Sequence, residues 1–367
     1  MTHVSTAMGL RSWQRHSTSS PDSKVQAQNP IPTGLRHLFS RLFPDRVLLD
    51  FTVAICTYNG EYRLGDVLAC LPWQINTEDL VWEVLVIDNN SCDGTAQVVA
   101  AFRQTWPRHI PLRYGFEPKQ GASFARQRAI EMARSPLVGF LDDDNIPSMT
   151  WVAAAHQFSQ QYPQAGAYGS RIRGDFEINP PEHFERIAAL LALTERGPHP
   201  LPYPRTQKVL PPGAGLVVRR QAWLQTVPRT LALAGHIGSR ETGEDLEVVL
   251  YIQKAGWEIW YNPAMRLYHR IPGNRLKREY LLLLCRNIGL SRYGTRMLSL
   301  PAWKRPLMIP LYAGNDLRKI ARHLWTYRTT AFTDTVAACE LTLYSYSLLS
   351  PFYMLWRRLR QKTSCTN

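Results

Sequence analysis

Three consecutive aspartates, Asp142, Asp143 and Asp144, close the stretch "VGFLDDDNIP" directly after an apolar run. Like charges repel at that spacing, so the triplet is either solvated in a turn or arranged around a positive group. Other acids stand in comparable places. Glu61 follows "VAICTYNG", and Asp88 and Asp93 flank the turn in "VLVIDNNSCDGT". Hard divalent cations prefer carboxylate oxygen, and Mg2+ uses one or two carboxylates together with substrate phosphates. The chemistry these residues suggest is a Mn2+ or Mg2+ ion that carries a diphosphate.

Such acids act together only if the chain brings them to one edge. "LLDFTVAICTYNG", "WEVLVIDNNSCDGT" and "PLVGFLDDDN" read as apolar strands that each run into a polar turn. Between them, "RLGDVLACL", "TAQVVAAFRQTW" and "GASFARQRAIEMA" read as helices, the last with Ala125, Ala129, Met132 and Ala133 on one face. Strands alternating with helices predict an α/β fold, a mostly parallel Rossmann-like sheet flanked by helices. Ligands of such sheets bind outside the carboxyl ends of the strands, where the acids above fall. No GxGxxG follows the first strand and no GxxxxGK[ST] occurs, so neither a dinucleotide nor a P-loop site is expected.

The chain has 367 residues, 45% hydrophobic and 20% charged, as an ordinary folded protein does. Its net charge of +14 is unevenly spread. Residues 1–46 hold six Lys or Arg against two acids, and residues 273–367 hold sixteen against four. The middle, with twenty-one against twenty-three, is nearly neutral. The cations are not where the acids are, which argues against nucleic acid as the partner and for an anionic surface met by the flanks. Residues 1–46 read as a disordered basic tail, 47–272 as the catalytic domain, and 273–367 as a basic, amphipathic helical region. There, Phe332, Val336, Cys339, Leu343 and Tyr346 recur at helical spacing, suiting either a helical cap or a membrane interface. The nearest approach to a spanning segment, "TVAACELTLYSYSLLSPFYMLW", is broken by Glu340 and Pro351. Six scattered cysteines (56, 70, 92, 285, 339 and 365) without a CxxC pair argue for a reducing compartment and against a zinc site.

The ordered series "VAICTYNG", "VLVIDNNSCDGT", "QGASFARQRAIEMA", "GFLDDDNIP", "PGAGLVVRR" and "GEDLEVVLYIQKAGWEIWYNP" resembles the family-2 glycosyltransferases of the GT-A fold over roughly residues 50–272. Within that family the string is similar to the cyanobacterial hormogonium-polysaccharide type. The resemblance implies a nucleotide-diphospho-sugar transferase fold with a C-terminal helical extension. It also implies inverting, metal-dependent transfer of a sugar from a nucleotide sugar, with UDP as the expected carrier.

The resemblance assigns roles one residue at a time. Thr57, Tyr58, Asn59 and Glu61 would line the donor pocket, with Asp88 accepting from the nucleobase and Asn89 as its substitute. Arg126 would face the donor's anionic groups, or else lie on a solvated helix face. Asp142 would serve ribose or metal, Asp144 the metal, with Asp143 able to take that role instead. His269 in "LYHRIP" would be a further metal ligand or a packed core histidine. Asp245 would be the general base, with Glu244 positioning the acceptor or favouring the helix start. Gly213 and Gly215 in "PPGAGLVVRR" would let backbone approach the acceptor, and Trp257 would stack on it or fill the core.

The QxxRW motif of membrane-embedded processive synthases is absent, which implies one sugar per encounter. The acceptor expected is a saccharide or a polyprenyl-phosphate-linked sugar, met by a cytoplasmic protein peripheral to the inner face of the plasma membrane. Two rival readings remain at this level: an inactive sugar-binding scaffold and a metal-dependent nucleotidyltransferase.

Overall fold

The computed structural model describes residues 49–205, 209–231 and 243–364. The expected tail over 1–46 lies outside them. The first strand, β1 (Phe51–Thr57), is buried on both faces, as is β2 (Trp82–Asp88). Both sit inside a sheet because neither face carries a run of polar side chains. Parallel pairing sets β3 (Leu112–Phe116), β2, β1 and β4 (Leu137–Asp142) side by side. The remaining strands make the sheet mixed. In chain order they are β5 (Asn145–Pro147), β6 (Ala165–Phe176), β7 (Leu201–Pro202), β8 (Val217–Arg219) and β9 (Glu258–Ile271). Strand β8 runs antiparallel to β4 and β6, β9 parallel to β6, and β5 antiparallel to β9.

Register is what positions the acids. Thr57 pairs with Asp88, and Cys56 with Asp142, so the ends of β1, β2 and β4 reach one edge. The chain then turns within two residues into β5, where Asn145 lies opposite His269 of β9. That pairing carries the aspartate turn to a histidine more than a hundred residues away.

Helices cover both faces. On one, α1 (Leu64–Cys70), α2 (Thr95–Thr105) and α4 (Trp151–Gln161) bury Val67, Val99 and Trp151 against Phe51, Val53 and Ile55. On the other, α3 (Ala122–Met132), α5 (Arg220–Thr226) and α6 (Glu244–Lys254) bury Ala125, Ala129, Trp223 and Val248 against Ala54, Leu85 and Phe140. Ala125, Ala129 and Ala133 form the expected apolar face of α3, small enough to seat the helix close to the sheet.

The C-terminal region is helical, with α7 (Arg278–Leu298), α8 (Arg305–Tyr327) and α9 (Thr335–Ser364). Leu281 and Cys285 of α7 pack with Val336, Cys339 and Leu343 of α9 against Phe184, Ile187 and Leu191. The stripe read at helical spacing therefore faces inward in α9. Phe332 does not belong to it: it precedes the helix and is exposed.

Beneath the site, Trp151 is fully buried and stands edge-on to Phe51, with centroids 5.9 Å apart at 80°. Its indole N–H donates to Ser170 Oγ at 3.0 Å. Gly139 makes room for both rings, since a Cβ there would lie 2.6 Å from Phe51 and 2.7 Å from Trp151. Trp151→Ala is expected to cost about 3–5 kcal/mol, read as a lower denaturant midpoint at unchanged slope. A loss below about 1 kcal/mol would show that the interlock does not support the sheet.

Candidate active site

Each of the three aspartates has its own arginine. Asp142 Oδ1 lies 3.3 Å from Arg126 Nη2. Asp143 takes a two-pronged contact from Arg63, Nε to Oδ1 at 2.9 Å and Nη2 to Oδ2 at 3.0 Å. Asp144 Oδ2 accepts from Arg275 Nη1 at 3.1 Å. The repulsion built into the triplet is thus offset by three guanidiniums from three separate places: helix α3, the loop before α1 and the segment after β9.

Arg126 does more than pair with Asp142. It is buried, and its Nη1 also pairs with Asp245 Oδ1 and lies 3.7 Å from Glu244 Oε1. The other Asp245 oxygen, Oδ2, accepts the Gly213 N–H at 3.1 Å. A Cβ at Gly213 would overlap that carboxylate, so only glycine lets the backbone donor come so near. Burial by itself would lower the pKa of Arg126, but Asp245, Asp142 and Glu244 outweigh it and hold the guanidinium charged. Desolvation in the cleft pushes Asp142 up to about 6 despite Arg126, with Asp144 and Asp245 adding to the rise. Glu244 is likewise raised, by burial first and then by Asp245, against the pull of Arg126. Asp144 moves the other way. Burial raises it, but His269, Arg275 and Arg63 together hold it below the usual carboxylate range.

His269 is buried, with Nε2 3.4 Å from Asp144 Oδ2 and 3.3 Å from Arg275 Nη1. Its Nδ1 lies 2.9 Å from the Leu191 carbonyl, so Nδ1 carries a proton and donates it there, with Nε2 turned to Asp144 and Arg275. Asp144 and His269 thus present one oxygen and one nitrogen to a single cation. That donor pair suits a divalent ion drawing its other ligands from diphosphate and water. Among the described residues, no three His, Cys, Asp or Glu side chains converge on one metal position. The expected metal set therefore splits: Asp144 and His269 stay together, while Asp142 turns to Arg126.

Several expected donor residues also make hydrogen bonds within the chain. The Thr57 hydroxyl is buried and donates to Asp143 Oδ2 at 2.6 Å. Asp88 is buried, taking the Tyr114 hydroxyl at 2.7 Å and the Ser91 N–H at 2.9 Å. Asn89 spends its amide on the Glu117 and Lys119 carbonyls and its oxygen on the Gly121 N–H, bracing the approach to α3. Glu61 accepts the Gly94 N–H at the start of α2, and Asn59 accepts the Cys92 N–H. Tyr58 keeps an exposed ring beside them. On the acceptor side, Gly215 sits at φ +63° facing Leu267 and Ser170, and Trp257 is buried against Gly166 in the core. Both face the interior, Trp257 as the core filler that was its alternative reading, whereas Gly213 lies against Asp245.

Arg63 and Arg275 were not singled out by sequence. Arg275 stands six residues after His269 in "HRIPGNR", and that spacing was the available signal. A cleft of about 490 Å³ opens beside these groups, lined by Tyr62, Arg63, Asp143, Asp144, Arg270 and Pro272. Its size is that of a small-molecule site.

The raised Asp142 carboxyl has a consequence for stability. The folded state holds this proton more tightly than the unfolded chain, whose Asp titrates near about 4. Its contribution is present below that pH and is lost as pH rises through about 6. In calorimetry with EDTA, the melting temperature of Asp142→Asn relative to the unaltered protein should therefore rise from about pH 4 to about pH 7. A difference that stays flat or narrows would contradict the assignment.

Comparison with known proteins agrees with this architecture. Residues 52–225 match the family described as Glycosyl transferase family 2. The uncharacterized glycosyltransferase YfnE of Bacillus subtilis is 29% identical over 143 residues, 38% of this chain and 35% of that protein. The putative teichuronic acid biosynthesis glycosyltransferase TuaG of the same organism is 36% identical over 64 residues, 17% of this chain and 25% of that one. The chain thus spans about a third or less of the length of these curated relatives. Among solved structures, the mannosyltransferase PcManGT from Pyrobaculum calidifontis, in complex with GDP-Man and Mn2+, has a TM-score of 0.56 at 16% identity. That alignment covers 89% of this chain and 95% of PcManGT, which establishes a shared fold. Residues 52–225, a little under half of the chain, thus match the glycosyl transferase family 2 model, on a GT-A fold shared with PcManGT.

Proposed function

We propose that the protein catalyses metal-assisted, inverting, non-processive transfer of a sugar from a nucleoside-diphosphate sugar, with UDP as the first carrier to test. The acceptor is a saccharide or a polyprenyl-phosphate-linked sugar. The observation that carries this reading is the contact of one buried arginine, Arg126, with both Asp142 at the end of β4 and Asp245 at the start of α6. It ties an acid on the donor side to an acid placed as a base.

In the proposed step the acceptor hydroxyl attacks the anomeric carbon from the face opposite the diphosphate. The new glycosidic C–O bond forms as the anomeric C–O bond to the diphosphate breaks, its electron pair leaving with the nucleoside diphosphate. The hydroxyl proton passes to the Asp245 carboxylate, and Glu244 beside it orients the acceptor. Tyr58 offers its exposed ring to the nucleobase. Asp144 and His269 would hold the Mn2+ or Mg2+ ion, which when bound neutralises charge on the leaving diphosphate. Arg275, now on Asp144 Oδ2, would be free to meet the phosphates with that ion bound.

The family domain supports the transfer chemistry, and a relative named for teichuronic acid biosynthesis supports a product that is a polysaccharide. The resemblance to the hormogonium-polysaccharide type points the same way, toward exopolysaccharide assembly at the inner face of the plasma membrane. In this reading residues 47–272 are catalytic and 273–367 serve placement.

Two measurements test the proposal. Nucleoside-diphosphate release from a panel of UDP-, GDP- and dTDP-sugars should require Mn2+ or Mg2+ and stop with EDTA. Asp245→Asn should lower it at least about a hundredfold while donor binding stays within about threefold. A panel in which no nucleotide sugar binds with metal present would leave only the scaffold reading. Separately, Mn2+ binding followed by electron paramagnetic resonance should tighten about tenfold in nucleotide-free Arg275→Gln, because a competing cation is gone. Unchanged or weaker binding would remove Asp144 and His269 as the ligand pair.

A further inference from the structure

Helix α8 is amphipathic the wrong way round. Its inner side is polar. Asp316 is fully buried, taking both Arg296 nitrogens at 2.5 and 2.8 Å and the Ser347 hydroxyl at 3.1 Å. His323, also buried, contacts the Ala337 carbonyl through Nε2 at 2.9 Å. Tyr312 completes that side, beneath the Arg296 guanidinium. The opposite side is apolar. At 100° per residue, Leu307, Leu311, Leu317 and Trp325 point away from Tyr312, Asp316 and His323, and they are 65, 62, 58 and 85% exposed. Trp303, just before the helix, is 70% exposed. A soluble helix places these two sets the other way, so among the described residues the outer face lacks the neighbour its composition requires.

Charge identifies the neighbour. Lys304, Arg318 and Arg322 are exposed around the apolar stripe. Between residues 280 and 333 the sole acid is Asp316, which is turned inward. Leucine and tryptophan ringed by cations, with no anion, match the boundary between anionic headgroups and acyl chains. A second copy of the face fits poorly, because a two-fold contact would set like cations against each other. The helix lies on such a surface rather than through it: no helix of the described residues is long and apolar enough to cross a membrane.

We propose that the outer face of α8 docks the protein on an anionic phospholipid surface. Leu307, Leu311, Leu317 and Trp325 enter the headgroup boundary, and Lys304, Arg318 and Arg322 meet lipid phosphate. The proposed transfer reaction gives this docking its purpose, access to a lipid-linked acceptor, but the surface stands on its own observations.

The test uses the full chain, without nucleotide sugar, in flotation with phosphatidylcholine vesicles that contain or lack phosphatidylglycerol. Binding is expected with phosphatidylglycerol alone, and raised salt should weaken it. The triple variant Leu307→Ser, Leu311→Ser, Trp325→Ser should lose at least about tenfold in partitioning. Arg318→Glu with Arg322→Glu should lose a comparable factor, and both variants should melt as the unaltered protein does because the replaced side chains are exposed. Failure of the unaltered protein to float with anionic vesicles overturns the proposal, as do variants that float equally well. A dimer of the unaltered protein that the triple variant dissolves would overturn it too, making the face a contact between copies. None of these outcomes bears on donor hydrolysis, so this proposal and the transfer reading fail separately.

Discussion

The candidate site rests on one guanidinium. Arg126 is buried among Asp142, Glu244 and Asp245, three carboxylates that the end of β4 and the start of α6 bring into one cleft. Without a cation there, acids at that separation would drive the two elements apart or take up protons. Burying a charge is costly unless it is paired, so acids and arginine must be held together by the fold rather than by their own attraction. The sheet register does this for Asp142, and the bare backbone of Gly213 does it for Asp245. Helix α3, seated close on Ala125 and Ala129, delivers the arginine between them.

The same logic repeats along the aspartate triplet with different outcomes. Arg63 and Thr57 saturate Asp143, making it a tie between β4 and the exit of β1. Arg275 on Asp144 is a lighter hold: it contacts one oxygen, and the second accepts from the neighbouring Asn145 amide. A two-pronged arginine is hard to displace, whereas a single-point contact shared with His269 yields more readily to a divalent ion. Position within the triplet therefore separates a structural acid from an exchangeable one, although all three residues are the same.

This explains what the sequence disclosed and what it withheld. Apolar strands ending in acids are local patterns, so the parallel core and its acid-bearing edge were legible from spacing, whereas Glu244 and Asp245 stood out only through the family resemblance. Thr57, Asp88 and Asn89 read as donor contacts because they sit at that edge. Their partners within the chain, Asp143, Tyr114 and the backbone before α3, lie some 26 to 86 residues away in sequence and could not be read from spacing. Trp257 was ambiguous for the same reason, since stacking on sugar and packing on Gly166 call for the same side chain. Arg275 was hidden in a basic region whose charge seemed collective. In the C-terminal helices, periodicity identified an apolar stripe in α9 that packs inward. The inverted polarity of α8 emerged only once Asp316 was seen to be buried.

Arg126 also makes the two halves of the cleft interdependent. Any group that neutralises Asp142, a proton or a bound cation, releases part of the guanidinium's charge toward Asp245 and Glu244, because all three share it. Glu244 is pushed upward by burial and by Asp245, and the same charge of Arg126 pulls it back. The state of Asp142 is thus felt at Glu244 and Asp245 without any movement of the backbone, through a single delocalised charge. A site built this way does not need a hinge to couple its parts. It needs Arg126 to stay desolvated and its three partners to stay within reach, which is what the closely packed α3 and the β4 register provide.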